Sequence, residues 1–145
     1  MEKVYITESA EETKEIAQEF AKELKNGDFI AFYGDLGSGK TTFIQGIAKE
    51  LGIERRIISP TFIIIRTYVL KSGKFYHIDL YRTENEADLI GLGIEEILND
   101  KNSIVALEWA EKMGGLLPEK RIEINCRYLD DKKREIKIKK KWITI

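Results

Sequence analysis

Residues 34–41 read GDLGSGKT and match the pattern G-x-x-x-x-G-K-[S/T] at every fixed position. The apolar run Phe29–Tyr33 comes directly before them, as expected of a central strand that is buried on both faces. Apolar residues at helical spacing follow and end at Gly52, which is typical of a helix stop. A strand, a glycine-rich loop and a helix in this order predict a phosphate-binding loop (P-loop).

Each part of the motif has a physical role. Gly34, Gly37 and Gly39 allow positive φ and a close approach of the backbone to phosphate. Successive backbone N–H groups then form an anion nest, and the N-terminus of the following helix adds partial positive charge. Lys40 supplies a charge for the β- and γ-phosphates, and the Thr41 hydroxyl is placed to bind Mg²⁺. The alternative is a glycine-rich turn with a chance Lys-Thr, and the flanking strand and helix disfavour it.

The rest of the chain predicts a three-layer α/β P-loop NTPase fold, with a mostly parallel central sheet and antiparallel hairpin additions. Ser9 and Glu12 form a capping box that opens an amphipathic helix. The other elements are a strand at 4–7, a hairpin at 62–70 and 74–80, a helical region at 84–99 broken near Gly91 and Gly93, a strand at 103–107, and a hairpin at 121–128 and 134–138. With 145 residues, the whole chain is expected to be one domain. The strand order is left open.

Two acidic residues stand at the ends of apolar strands. Glu108 follows residues 104–107, and Asp79 follows residues 75–78. The carboxyl edge of such a sheet is where ligands bind, so we expect at least one carboxylate to serve Mg²⁺ or an attacking water. A helix cap or a surface charge is the alternative for each residue alone. His77 alternates with Asp79 along the strand, and a packed, hydrogen-bonded histidine is favoured over a catalytic one.

Residues 59–62 read SPTF and lie between the P-loop helix and the first hairpin. A threonine in such a loop, Thr61, can sense the γ-phosphate as switch loops do. The residues alone favour a proline-marked turn.

The net charge of −1 argues against intrinsic strong nucleic-acid binding by bulk electrostatics. Seven basic and three acidic residues in 130–145 give this segment a net charge of +4, which leaves −5 for the remainder. The solvated face of a terminal strand is the preferred interpretation. A contact with anionic nucleotide, RNA or an acidic partner is the alternative.

The expected compartment is the cytoplasm. No apolar run approaches the roughly 20 residues needed to span a bilayer, so no membrane role is expected. The N-terminal residues lack the basic and then apolar organisation of a secretory signal. The single cysteine, Cys126, excludes an internal disulfide and is expected to be a small core residue.

Together these residues closely resemble the TsaE (YjeE) family. Its members are small bacterial P-loop ATPases of the pathway that makes the threonylcarbamoyladenosine (t6A) modification beside the anticodon of certain tRNAs. The matching segments occur in the family's order and span most of the chain: 34–42, 59–62, 77–82, 91–94, 107–109 and 117–118.

The resemblance implies a set of site residues. Thr41 and Glu108 would bind Mg²⁺, and Asp79 would support the metal or the attacking water. Thr61 would act as a switch residue. The expected catalytic residues are Glu108, Asp79, Thr61 and Lys40. Trp109 would lie near the site. Ser9, with Lys132 or Lys133, would approach the adenine. The implied ATP- or ADP-binding residues of the loop are Asp35, Leu36, Gly37, Ser38, Gly39, Lys40, Thr41 and Thr42.

The resemblance also implies partners. The ATPase activity of the family is weak in the isolated protein and depends on the partner proteins TsaD and TsaB. ATP hydrolysis would reset the complex between turnovers. The protein would contact tRNA only through that complex.

The motifs of this sequence disfavour two rival functions. A GTPase would carry an Asn/Thr-Lys-x-Asp motif on a late strand, and none occurs after Glu108. A small-molecule P-loop kinase would carry an arginine-rich lid, whereas Arg66 and Arg82 are scattered. A nucleotide-dependent interaction module without significant turnover stays open.

Overall fold

The structure, a computed structural model, describes residues 2–54, 57 and 64–141. Its helices and strands follow the sequence pattern closely. In chain order they are β1 (Glu2–Thr7), α1 (Ala10–Ala21), β2 (Phe29–Tyr33), α2 (Lys40–Glu50), β3 (Ile65–Val69), β4 (Lys74–Asp79), α3 (Glu86–Gly91), α4 (Ile94–Asn99), β5 (Ser103–Glu108), a 3-10 helix (Ala110–Leu116), β6 (Arg121–Tyr128) and β7 (Arg134–Lys141). Within the described ranges, no helix has the length and apolar character needed to cross a membrane.

The strands form one sheet in the order β1-β7-β6-β2-β5-β4-β3. The four central strands, β6, β2, β5 and β4, run parallel. β7 and β1 add antiparallel strands at one edge, and β3 adds one at the other. This arrangement confirms the predicted parallel core with antiparallel hairpins. It also places β2, which leads into the P-loop, at the centre of the sheet.

Both faces of the sheet are covered, which completes the three layers. Ile30 and Phe32 of β2 pack into a core cluster with residues of α1 and α2. Phe29 and Ala31 point the other way, into a cluster with residues of α3, α4 and the 3-10 helix. Successive residues of a strand face opposite sides, so an unbroken apolar run suits this doubly covered strand.

Two predicted details are confirmed with small changes. Ser9 caps α1, because its Oγ accepts a hydrogen bond from the Glu12 backbone N at 3.1 Å. The reciprocal bond to Glu12 Oε2 comes from the Glu8 amide at 3.3 Å, one residue earlier than in a standard capping box. The 62–70 strand is seen only from Ile65, and residues 62 and 63 lie outside the described part.

The C-terminal hairpin has the predicted two-sided character. Ile136 and Ile138 of β7 are buried, whereas Lys137 and Lys139 between and after them are exposed. Cys126 of β6 is buried as expected. Lys137 and Lys139 therefore lie on the solvated face of this strand, which agrees with the preferred interpretation for these two residues.

Close packing of α1 on α2 depends on Gly46. A Cβ built on Gly46 would lie 2.5 Å from Ala17 Cβ and 2.6 Å from the Lys14 carbonyl oxygen. We expect Gly46→Ala to lower the free energy of unfolding by about 1–3 kcal/mol, because backbone atoms of α1 must move. Urea unfolding measures the change. Gly91→Ala is the control, because nothing lies within 4 Å of its Cβ position, and an unchanged Gly46→Ala midpoint would contradict this packing.

Candidate nucleotide-binding site

The P-loop has the backbone conformation that its sequence predicts. Gly34, Gly37 and Gly39 have φ values of 138°, 77° and 107°, all in the region that favours glycine. A Cβ at Gly34 would lie 2.3 Å from the Cys126 carbonyl oxygen, so this position also requires glycine for space. The Ser38 N–H donates to the Asp35 carbonyl at 3.1 Å and closes a turn within the loop.

A cavity of about 740 Å³ lies against this loop. Its volume is within the usual range for small-molecule sites. The lining comprises the start of α1, the P-loop with the start of α2, both strand-end carboxylates and the tip of the β6–β7 hairpin: Glu8, Ser9, Ala10, Thr13, Leu36, Gly37, Ser38, Gly39, Lys40, Thr41, Thr42, Asp79, Glu108, Asp131, Lys132 and Arg134. Of the loop residues predicted to bind nucleotide, 35–42, all line the cavity except Asp35, which contributes its carbonyl group to the turn.

Lys40 begins α2 and is buried. Its ammonium group donates to the Gly34 carbonyl and lies 3.9 Å from the centroid of the Trp109 ring. Burial lowers the pKa of Lys40 from its ordinary value, and the charges of Glu108, Glu111 and Asp79 oppose that shift. An incoming phosphate would add a further negative charge beside the ammonium group.

The two acidic residues meet across neighbouring strands. Asp79 and Glu108 are register partners at the carboxyl ends of β4 and β5. The Thr41 hydroxyl lies 3.3 Å from Glu108 Oε1, and Asp79 Oδ1 accepts a hydrogen bond from the Tyr81 backbone N at 2.9 Å. Both carboxylates are buried and line the cavity. The structure therefore brings together Lys40, Thr41 and both predicted acids.

His77 fixes the buried side of Glu108. Its Nε2 lies 2.6 Å from Glu108 Oε2, and the imidazole is fully buried. The favoured interpretation, a packed and hydrogen-bonded histidine, is confirmed. When the carboxylate is ionised it can only accept, so Nε2 carries the proton in this contact.

Two buried polar atoms in this region have no hydrogen-bond partner among the described residues: Ser38 Oγ in the P-loop and His77 Nδ1. An unsatisfied buried polar atom costs free energy, and unsatisfied groups often mark functional sites. Ser38 also lines the cavity. The hydroxyl itself is buried against Gly34.

Trp109 turns the chain away from β5 and borders the site. Its φ of 62° makes it the one non-glycine residue with positive φ in the described part of the chain. The indole is partly buried, and its ring centroid lies 5.2 Å from that of Tyr81. Lys112 holds the Tyr81 segment by donating to the Tyr81 and Thr83 carbonyls.

The residues predicted for the base are only partly brought together. Ser9 and Lys132 line the cavity, whereas Lys133 is not among the lining residues and its Nζ lies 3.9 Å from Glu8 Oε1. Of the two lysines considered, Lys132 is the better placed. Thr61, with the rest of the 59–62 segment, lies outside the described residues.

Sequence reasoning missed Arg134. Its Nε donates to the Gly37 carbonyl of the P-loop at 3.0 Å, and its side chain lines the cavity. The two residues are 97 positions apart, so local patterns hold no signal for this contact. The one related signal in the sequence was the excess of basic residues in segment 130–145, which allowed a contact with an anionic ligand as the alternative interpretation.

Comparisons with known proteins all point to one family. A family model described as "Threonylcarbamoyl adenosine biosynthesis protein TsaE" matches residues 7–136. The tRNA threonylcarbamoyladenosine biosynthesis protein TsaE of Rickettsia typhi is 41% identical over 133 residues, covering 91% of each chain. The protein of the same name from Bacillus subtilis is 42% identical over 130 residues, covering 90% of this chain and 80% of its own length. The crystal structure of YdiB from Bacillus subtilis matches with a TM-score of 0.81 and 33% identity, covering 98% of this chain and 87% of YdiB.

Proposed function

This chain belongs to the TsaE family, and we propose that it is a Mg²⁺-dependent ATPase that serves t6A modification of tRNA together with TsaD and TsaB. The family match supports the role in t6A biosynthesis. The observation that supports the ATPase activity is the meeting of a P-loop lysine, Lys40, with Thr41 and two buried carboxylates in one cavity. These are the groups that P-loop enzymes use for phosphoryl transfer to water.

The donor set fits a Mg²⁺–nucleotide complex. Mg²⁺ in such sites is bound by one or two protein oxygens, with phosphates and waters completing the shell. Thr41 Oγ1 and the Glu108 carboxylate supply such oxygens, and the described residues contain no group of three or more metal-binding side chains that would form an all-protein cage. When bound, Mg²⁺ would neutralise charge on the β- and γ-phosphates.

The chain's own residues have distinct tasks in this proposal. The P-loop N–H groups and Lys40 bind the β- and γ-phosphates. Thr41 and Glu108 hold the metal ion, while Asp79 supports the metal or orients the attacking water. His77 keeps the Glu108 carboxylate in place from its buried side. Trp109 confines Lys40 to the site.

The partners would control turnover. We expect ATP hydrolysis by the isolated chain to be slow and hydrolysis in the presence of TsaD and TsaB to be faster, with hydrolysis resetting the complex between modification cycles. The chain would contact tRNA through its complex with TsaD and TsaB. This complex would form in the cytoplasm. Because the net charge is −1, strong binding of tRNA by the chain alone is not expected.

Phosphate release from ATP, with and without TsaD and TsaB, tests this proposal. We expect TsaD and TsaB to accelerate phosphate release by about tenfold or more. A tenfold acceleration requires the activation free energy to fall by only ~1.4 kcal/mol. Rapid hydrolysis by the isolated chain that the partners do not change would contradict the partner-dependent activity. Tight ATP binding with no turnover in either condition would favour a nucleotide-dependent interaction module.

A further inference from the structure

Arg134, the first residue of β7, is held rigidly at the tip of the C-terminal hairpin. Its NH1 donates to the Asp130 and Lys133 carbonyls at 2.6 and 3.0 Å. Its guanidinium carbon lies 4.5 Å from the centroid of the Tyr128 ring, the register partner on β6. An arginine stacked on an aromatic ring and bonded twice to backbone has little rotamer freedom left.

The hairpin tip itself is ordered. Asp130 Oδ1 accepts hydrogen bonds from the Lys132 and Lys133 backbone N–H groups, both at 2.8 Å. These two bonds to the charged form hold the pKa of Asp130 below its usual value. Arg134 therefore reaches the P-loop from a preformed support and not from a free side chain.

The contact falls on one particular peptide unit of the loop. Arg134 Nε donates to the Gly37 carbonyl at 3.0 Å, and the Ser38 N–H of the same unit donates to the Asp35 carbonyl at 3.1 Å. Because a peptide unit is planar, bonds at both of its ends fix its orientation. The carbonyl of Gly37 is thereby directed toward Arg134.

Such a brace matters in a glycine-rich loop. Gly37 and Gly39 have positive φ and wide conformational freedom, so an unsupported loop samples many shapes and must be ordered when phosphate binds. An anion nest also requires carbonyl groups to point away from the phosphates. We propose that Arg134 is a positioning residue that preorganises the P-loop through the Gly37 carbonyl and so raises nucleotide affinity.

This inference rests on the proposed nucleotide-binding function of the same cavity. An alternative within the same geometry is that the positive charge of Arg134, which lines the cavity, acts directly on the phosphates. The two explanations differ for lysine. Lysine keeps the charge but lacks the planar fork that bonds Gly37, Asp130 and Lys133 together and stacks on an aromatic ring.

The test compares Arg134→Gln and Arg134→Lys with Arg127→Gln. Arg127 is an exposed arginine of β6 that pairs with Glu135 at 3.1 Å and does not line the cavity. The Kd for Mg²⁺–ADP is measured by calorimetry, and amide hydrogen exchange of residues 35–39 is measured without nucleotide. We expect both Arg134 variants to raise the Kd about tenfold and to speed exchange in the loop, and Arg127→Gln to change neither.

Steady-state kinetics distinguish a residue that positions the P-loop from one that takes part in the chemical step. At saturating ATP, the Arg134 variants should keep kcat within about twofold of the native value while KM rises. Tyr128→Leu, which removes the ring beneath the guanidinium but keeps Arg134, should raise the Kd about threefold with the same effect on exchange. If Arg134→Gln lowers the thermal midpoint of unfolding, Tyr128→Leu is the variant used to test the proposal.

Two outcomes would overturn the inference. Native affinity in Arg134→Lys beside a loss in Arg134→Gln would show that charge alone acts. Unchanged exchange of residues 35–39 in Arg134→Gln would show that the loop needs no brace. If the native chain bound no Mg²⁺–ADP, the proposed function would fail, while the exchange measurement on nucleotide-free protein would still decide whether Arg134 orders the loop.

Discussion

Replacing Lys40 with alanine is expected to weaken Mg²⁺–ADP binding about 100-fold and to reduce ATP hydrolysis to the background rate. The buried ammonium group is a full positive charge on the first residue of α2, where the backbone N–H groups supply only partial charges. A hydrogen bond to a charged group contributes about 1.5–3 kcal/mol, and the upper part of that range corresponds to about 100-fold in affinity. Calorimetry measures the Kd, and phosphate release measures hydrolysis.

Two further variants make this result specific. Lys40→Met keeps most of the side-chain stem over Trp109, so its loss of affinity reports the charge and not a cavity. Lys49→Ala removes an exposed lysine from the last turn of the same helix and should leave ADP binding unchanged. Native ADP affinity in Lys40→Ala would remove the central element of the proposed site.

The fold should survive the loss of Lys40. Burial lowers the pKa of Lys40, which means that the nucleotide-free protein holds the charged form at a desolvation cost. Nearby carboxylates offset part of that cost, so the net contribution of the charge to stability is small. We therefore expect the thermal midpoint of Lys40→Met to stay within a few degrees of the native value, and a collapse of that midpoint would mean that the affinity measurement reports unfolding.

Local signals were sufficient for most elements and for the P-loop. The limits of β2 follow from the unbroken apolar run Phe29–Tyr33, because only a strand covered on both faces tolerates one. The positive φ values of Gly34, Gly37 and Gly39 follow from the motif, since phosphate must approach the backbone closely. Both hairpins follow from two β-rich runs on either side of a turn sequence.

Non-local contacts were beyond the sequence for a physical reason. Asp79 and Glu108 could each be placed at a strand end, but their pairing depends on β4 and β5 being neighbours, which the strand order decides. The contact of Lys40 with Trp109 depends on the left-handed backbone of a tryptophan, a conformation that bulky residues rarely adopt. These features arise from packing of distant segments, and no spacing rule encodes them.

Replacing Glu108 with glutamine is expected to slow partner-stimulated ATP hydrolysis by about 10²–10³-fold while changing ADP affinity by less than about fivefold. The substitution keeps the shape of the side chain and an oxygen that can accept the His77 hydrogen bond, so the buried arrangement persists. It removes the negative charge that faces Thr41, and with it the ability to bind a metal ion strongly or to accept a proton. Loss of one positioned group that stabilises developing charge costs about 10²–10³-fold in rate.

Asp79→Asn and Glu96→Gln are the comparison variants. Asp79 faces the same cavity from the neighbouring strand, so Asp79→Asn should also slow hydrolysis. Glu96 is exposed in α4 and does not line the cavity, so its loss should leave the rate unchanged. Full activity in Glu108→Gln beside inactivity in Asp79→Asn would transfer the principal role to Asp79. The pairing itself explains why either result is chemically coherent: the two carboxylates are in register at the carboxyl edge of a parallel sheet and line the same cavity, and His77 contacts Glu108. The His77 contact is the reason for proposing Glu108 as the metal-binding residue, while Asp79 is proposed to support the metal or the attacking water.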